Sequence, residues 1–118
     1  MEFFIRKNAN QPILRMELIK DGRFDYNNFY ELIQNANIYF SMINVDNGEY
    51  KIAKNLAGCE LVDNMGDTVD EEYYITYKFT SRQTAKTGRF EGIFYIDMLN
   101  GDGTLIAPVR EKLYINII

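Results

Sequence analysis

The amino-acid sequence predicts an all-β domain, an antiparallel β-sandwich of about seven to eight strands with one short helix near residues 25–34. Apolar and polar residues alternate with a period of two along residues 73–79 and 88–99, which is typical of strands with one buried face. Turn signals recur roughly every eight to twelve residues, as they do in sandwiches. We expect the two alternating segments to pair as the centre of one antiparallel sheet.

The first part of the chain predicts two strands and then the helix. Residues 2–6 form a short strand, and residues 13–19 form a second strand with Leu14 and Met16 on one face. Asp25 can cap the helix, whose apolar residues are spaced for one flank.

A hairpin follows at residues 37–43 and 49–54, because the Asn47-Gly48 pair between the two segments is a strong hairpin signal. In its second strand we expect Tyr50 and Ile52 to point inward. The residues that share one face of its first strand are Ile38, Phe40 and Met42.

The second half of the chain predicts further strands. A weak strand at residues 60–62 precedes the two alternating segments, and a short strand at 104–107 is ended by Pro108. Residues 109–118 close the chain as a long strand. The core expected from these assignments consists of Phe40, Phe79, Phe90, Phe94 and Ile96.

Composition and charge exclude several classes of function. The 118 residues suffice for a single domain spanning 1–118, and the net charge of −4 disfavours nucleic acid, whose phosphates are bound by Lys and Arg. Because histidine is absent, Ser-His, Cys-His and His-metal sites are excluded, and we expect no enzymatic activity and no cofactor. The sequence has neither a signal-peptide pattern nor an apolar run long enough to span a membrane. We expect a soluble protein made in the cytoplasm, with no membrane partner.

Two features with potential chemistry have a simpler structural interpretation. Cys59 has no base beside it and is expected to be a small buried hydrophobic residue. Acidic residues cluster between positions 60 and 72, but their spacing does not match a calcium loop, so we expect a solvated loop and no metal site. The cluster comprises Glu60, Asp63, Asp67, Asp70, Glu71 and Glu72.

The two terminal strands are apolar on both faces, whereas a sandwich strand normally keeps one face polar. Residues 113–118 also carry no charge of the kind that protects an edge strand from pairing with another chain. We therefore expect these strands to lie at or near a sheet edge and to contact a neighbouring protein. The predicted interface residues are Phe3, Phe4, Ile5, Tyr114, Asn116 and Ile118.

The order of the motifs resembles the N-terminal immunoglobulin-like domain of phage baseplate upper proteins. A strand ends in Lys20-Asp21-Gly22, an alternating strand follows, and an aromatic strand and an Asp-Gly turn lead to a final apolar strand. The segments that carry the resemblance are Ala36-Asn37-Ile38-Tyr39-Phe40-Ser41-Met42, Tyr77-Lys78-Phe79-Thr80, Gly88-Arg89-Phe90-Glu91-Gly92-Ile93-Phe94, Asp102-Gly103 and Pro108.

This resemblance implies an immunoglobulin-like sandwich that serves as a virion structural protein. We expect a stand-alone adaptor of the tail, baseplate or collar, which docks other virion proteins in a symmetric multi-copy assembly and is located in the virion after synthesis in the host cytoplasm. The alternative is a carbohydrate-binding module, since a tyrosine-rich sandwich can stack sugars on an exposed aromatic face.

Overall fold

The structure, a computed structural model, describes residues 1–17, 36–63, 73–98, 103–108 and 111–118. These residues form strands and turns, so the predicted all-β class is confirmed for them. The helix predicted near residues 25–34 and most of the acidic cluster lie outside the described residues. The strands are β1 (Glu2–Ile5), β2 (Leu14–Glu17), β3 (Asn37–Asn44), β4 (Tyr50–Asn55), β5 (Cys59–Asp63), β6 (Tyr73–Tyr77), β7 (Gly88–Met98), β8 (Gly103–Ala107) and β9 (Leu113–Ile117).

The strands form two sheets that enclose one core. The larger sheet has the order β1-β9-β7-β3-β4, and β8 pairs with the part of β7 that β9 leaves uncovered. The smaller sheet has the order β2-β6-β5. Within the described ranges, no helix is long and apolar enough to cross a membrane.

One strand pair departs from the predicted antiparallel arrangement. β1 runs parallel to β9, with Glu2 opposite Tyr114 and Ile5 opposite Ile117. A parallel pair requires a long connection, and here the rest of the sandwich lies between the two strands in sequence. The chain leaves the larger sheet after β1 for β2 in the smaller sheet, and it returns beside β1 only at β9.

The pairing predicted for the two alternating segments is wrong. β6 is the middle strand of the smaller sheet, whereas β7 lies in the larger sheet between β3 and β9. Residues 78–87 carry the chain from one sheet to the other. Alternation shows that each strand has one buried face, but a strand on either side of the core satisfies that pattern equally well. The buried faces of β6 and β7 therefore meet across the core.

The predicted core is confirmed. Phe40 and Phe94 are cross-strand neighbours on β3 and β7, and their ring centroids are 4.9 Å apart. Both rings are completely buried, as expected for facing positions at the centre of a sandwich. The five predicted members are all buried: Phe40, Phe79, Phe90, Phe94 and Ile96.

The predicted hairpin is confirmed as β3 and β4, but its second strand contains an irregularity. Ile52 pairs with Met42 and points into the core, while Tyr50 pairs with Ile43 and is 59% exposed. The register shifts between these two pairs, because one step along β3 corresponds to two steps along β4. Such a bulge reverses the face of the next residue. The inward position predicted for Ile52 is thus confirmed, and the one predicted for Tyr50 is wrong.

Candidate docking surface at the sheet edge

β1 is an edge strand of the larger sheet, and β9 lies inside the sheet next to it. β9 pairs with β1 on one side and with β7 on the other. The terminal strands therefore lie at and next to a sheet edge, as predicted, but β9 has partners on both sides, so only β1 can offer unpaired backbone groups. Among the described strands, none lies on the outer side of β1. We call this side of Glu2–Ile5 the free edge.

The pleat of β1 and β9 divides the six predicted interface residues into two groups. The Phe3 ring stacks on the Phe79 ring with 5.9 Å between centroids, and Ile5 is only 2% exposed, so both side chains belong to the core. Ile5 is therefore not accessible to a partner. Phe4 is 56% exposed on the opposite face. The group on this outer face consists of Phe4, Tyr114, Asn116 and Ile118.

Glu2 connects β1 to its neighbours on the outer face. Its Oε1 accepts a hydrogen bond from Asn116 Nδ2 at 2.9 Å, and its Oε2 accepts one from Arg89 Nη2 at 3.0 Å. Asn116 Nδ2 also donates to the Phe3 carbonyl at 3.3 Å. The Asn116 hydrogen bond, assisted by the Arg89 charge, lowers the pKa of the Glu2 carboxyl. These contacts hold β1 in register and favour the ionised carboxylate.

Arg89 also covers an aromatic ring on the outer face. Its guanidinium carbon lies 4.0 Å from the centroid of the Tyr114 ring, which is within cation–π distance. The same guanidinium donates from its edge to Glu2, so its flat face contacts the Tyr114 ring while an N–H group binds the carboxylate. An ordered polar group therefore lies beside the exposed Phe4 ring. We call Glu2, Phe4, Arg89, Tyr114 and Asn116 the edge surface.

The charged members of the edge surface, Glu2 and Arg89, were not predictable from the sequence. Arg89 is 87 positions from Glu2 in sequence, and the two residues come together only because β1, β9 and β7 are adjacent. One local signal was present: Glu2, Phe4 and Arg6 alternate with apolar residues in the predicted strand 2–6, a spacing that places them on one side of it. That pattern places a charge on either side of the exposed ring.

Within the described ranges, no group of three or more Cys, Asp or Glu side chains lies close enough together to hold a metal ion. Burial raises the pKa of the half-buried Cys59 thiol to about 12, and its Sγ lies 3.5 Å from the Asn55 carbonyl oxygen that accepts its hydrogen bond. This thiol is therefore protonated at neutral pH and is a poor nucleophile.

A polar groove opens beside Tyr50 at the end of the β3–β4 hairpin. It has a volume of about 280 Å³, and Glu49, Lys51 and Lys86 contribute to its lining. Asn47 Oδ1 accepts the Glu49 N–H at 2.9 Å, so part of the polar lining is held by the turn itself. The exposed Tyr50 ring forms an aromatic wall next to these charged groups.

The described strands define a two-layer β-sandwich in which β1 is an edge strand of the larger sheet. No family model, curated protein or solved structure matches the chain. The function is therefore inferred from the edge surface and from the resemblance carried by the motifs.

Proposed function

We propose that this protein is a phage virion structural protein, an immunoglobulin-like adaptor of the tail, baseplate or collar that docks other virion proteins. The observation that carries the proposal is the free edge of β1, on which the Phe4 ring is 56% exposed. The resemblance to baseplate upper proteins supports the same class. In this proposal the protein acts by binding alone, without catalysis or a cofactor, and joins the particle after synthesis in the host cytoplasm.

The other edge strands carry features that discourage strand pairing. Natural sheets protect their edges with charged side chains, bulges and proline. β4 has two lysines and a bulge, β2 and β5 each have two charged residues, and Pro108 follows β8 directly. β1 has one charged residue, Glu2, whose carboxylate is already bonded to Asn116 and Arg89, and the charged residue that follows the strand is Arg6. β1 is thus the edge most open to a partner among those described.

Docking at this edge can use two kinds of contact. Backbone N–H and C=O groups of β1 can pair with a strand of the partner, and the edge surface supplies aromatic area around Phe4. Because Glu2 and Arg89 already hold each other, they lose little side-chain freedom when a partner binds. An interface of this kind that binds weakly on its own binds tightly overall when it is repeated around a symmetric particle.

Particles of the virus that encodes this chain provide the test. Mass spectrometry of purified particles should detect the chain as a repeated structural component. Phe4→Lys should leave the domain folded, since Phe4 lies outside the core, but should remove it from particles by placing a charge at the edge. The matched control is Ile106→Lys, because Ile106 has nearly the same exposure, 54%, on β8.

Two results would contradict the proposal at different levels. Incorporation of Phe4→Lys at the wild-type level would exclude the free edge as the docking site. Absence of the wild-type chain from purified particles, together with its presence in the cell lysate, would refute the assignment to the virion.

Carbohydrate binding is the second candidate function, and the groove beside Tyr50 is the observation that favours it. An exposed phenol ring can cover the apolar face of a sugar, while Glu49 and Lys51 can bond to its hydroxyl groups. A glycan array separates the two candidates. Binding that Tyr50→Ala abolishes and Phe4→Lys leaves unchanged would favour the carbohydrate function.

A further inference from the structure

The backbone groups of β1 alternate between those that bond to β9 and those that point away. The amides of Tyr114 and Ile118 donate to the carbonyls of Met1 and Ile5 at 2.8 and 2.9 Å, and the Lys7 amide donates to the Ile118 carbonyl at 2.9 Å. In a parallel pair both backbone groups of every second residue face the partner strand. The odd-numbered residues of this segment therefore face β9.

The even-numbered residues consequently direct their backbone groups to the free edge. They are Glu2, Phe4 and Arg6, and no described strand pairs with them on that side. The Arg6 carbonyl accepts the Ala9 amide at 3.1 Å, which leaves it one remaining lone pair. The amides of all three residues and the carbonyls of Glu2 and Phe4 are thus oriented to pair with an added strand.

We propose that a second copy of this chain pairs with the free edge, β1 against β1, antiparallel about a two-fold axis at Phe4. The segment Glu2-Phe3-Phe4-Ile5-Arg6 is self-complementary in this register. Phe4 lies opposite Phe4 of the second copy, and Glu2 lies opposite Arg6 of the second copy. Opposite charges directly across an antiparallel pair stabilise it, and like charges destabilise it.

The backbone groups fit the same register. Phe4 exchanges two hydrogen bonds with Phe4 of the second copy, as directly opposed residues of a hydrogen-bonded pair do. The Arg6 amide of each copy meets the Glu2 carbonyl of the other, which adds two more bonds. The two larger sheets would then continue into one another across the axis, and the interface would be closed because each copy uses the same surface.

Other registers lose this match. Only the even-numbered residues have backbone groups that point to the free edge. In any hydrogen-bonded register, an even-numbered residue of one copy therefore lies opposite an even-numbered residue of the other. A two-fold axis at residue 2 places Glu2 against Glu2, and one at residue 6 places Arg6 against Arg6. Axes at Phe3 or Ile5 place a charge against Phe4. The register centred on Phe4 is therefore the one in which both charges of each copy are paired.

The charged side chains at this edge are positioned and exposed for the proposed pairing. Asn116 and Arg89 fix the Glu2 carboxylate on the outer face, where 44% of its side chain stays exposed, and Arg6, the residue after β1, is exposed. On the inner face, Phe3 and Ile5 stay in the core of their own copy, so the side chains that meet across the axis are those of the outer face. The inference rests on the proposed function and identifies the virion protein that docks at the free edge as a second copy of this chain. Its test in solution has an outcome that does not depend on virion membership.

Sedimentation of the purified full chain over a concentration series is the first measurement. The wild type should show a monomer–dimer equilibrium, and Arg6→Glu should weaken the dimer at least about tenfold, because it places two acidic side chains opposite each other. Arg6→Lys keeps the charge and should retain most of the dimer. Phe4→Pro removes an outward amide without removing a bond to β9, and it should also abolish the dimer. Circular dichroism confirms that each variant is folded.

Cross-linking tests the position of the axis. Opposed residues of a hydrogen-bonded antiparallel pair have Cα atoms about 5.5 Å apart, which is within the range of a disulfide. In a Cys59→Ser background, Phe4→Cys should form a disulfide-linked dimer under mild oxidation, whereas Ile118→Cys, equally exposed but away from the axis, should not. A wild type that stays monomeric at all concentrations would overturn the proposal. So would a dimer that is unaffected by both Arg6→Glu and Phe4→Pro.

Discussion

The ring of Phe40 in β3 lies against the ring of Tyr77 in β6, with centroids 4.3 Å apart and planes 29° from parallel. The two residues belong to different sheets, so this pair is a direct contact between the layers. Phe79 meets both rings edge-on, at 5.9 Å from Phe40 and 5.0 Å from Tyr77. The Tyr77 hydroxyl accepts a hydrogen bond from Gln83 Nε2 at 2.9 Å, so its polar atom is satisfied. This aromatic cluster joins the two sheets.

Truncation of Phe94 should be strongly destabilising. Phe94→Ala removes a fully buried ring that packs against Phe40 and should lower the free energy of unfolding by about 3–5 kcal/mol, because a cavity remains. Denaturant titration measures the loss. Ile93→Ala on the outer face of the same strand is the control and should cost no more than about 1.5 kcal/mol. A loss below about 1 kcal/mol for Phe94→Ala would contradict the assigned register.

Gly92 should tolerate a side chain poorly. A Cβ atom at this position would lie 3.1 Å from Phe40 Cε1 and 3.2 Å from Leu113 Cδ2. Gly92→Ala should therefore lower the free energy of unfolding by about 1–3 kcal/mol through overpacking. In a Phe40→Leu background the added methyl group has more room, so the same substitution should cost less. Equal costs in the two backgrounds would show that Phe40 is not the obstacle.

Cys59 should react slowly with thiol reagents in the folded protein. Burial raises its pKa from 9.0 to about 12, which lowers the thiolate fraction about a thousandfold at mildly alkaline pH. The rate of reaction with a chromogenic disulfide at that pH should fall by a similar factor relative to an unstructured thiol peptide. The same protein in denaturant serves as the control and should react at the ordinary rate. Rapid reaction of the native protein would contradict the burial of this thiol.

The contribution of the Glu2 carboxylate to the stability of the folded state should disappear in acid. The Asn116 hydrogen bond and the Arg89 charge lower its pKa in the folded state below 4.5, so the folded protein binds this proton less readily than the unfolded chain. The stabilisation is therefore present above pH 4.5 and is lost as the pH falls through the folded pKa. Glu2→Gln should lower Tm at neutral pH but not at pH values well below that point. A difference in Tm that is independent of pH would show that the Glu2 charge is not involved.

The sequence patterns predicted which face of each strand is buried better than they predicted which strands pair with each other. Alternation along β3, β6 and β7 identified buried residues such as Phe40, Tyr77 and Phe94, because the period of two depends only on each strand having one side in the core. It could not distinguish a neighbour in the same sheet from a strand in the opposite sheet. The hairpin at Asn47-Gly48 was predictable because its pairing is local.

The edge surface was predictable only in part. Phe4 and Tyr114 drew attention as apolar residues in places where polar ones are usual, and both lie on the outer face. The interaction of Glu2 with Arg89 depends on three strands that are distant in sequence, and no local pattern reports it. Tyr50 was misplaced because a bulge changes the alternation without a clear mark in the sequence.

The parallel pairing of β1 with β9 has a consequence for biosynthesis. Glu2 and Asn116 are separated by 114 positions, so β1 cannot pair with its neighbour until β9 has been made. Until then, the Gly88–Gly92 half of β7 also lacks the neighbour that covers its edge. Closing so large a loop makes folding slow relative to chains with local contacts. A nascent chain therefore exposes two unpaired edges to chaperones and to other nascent chains until synthesis passes β9.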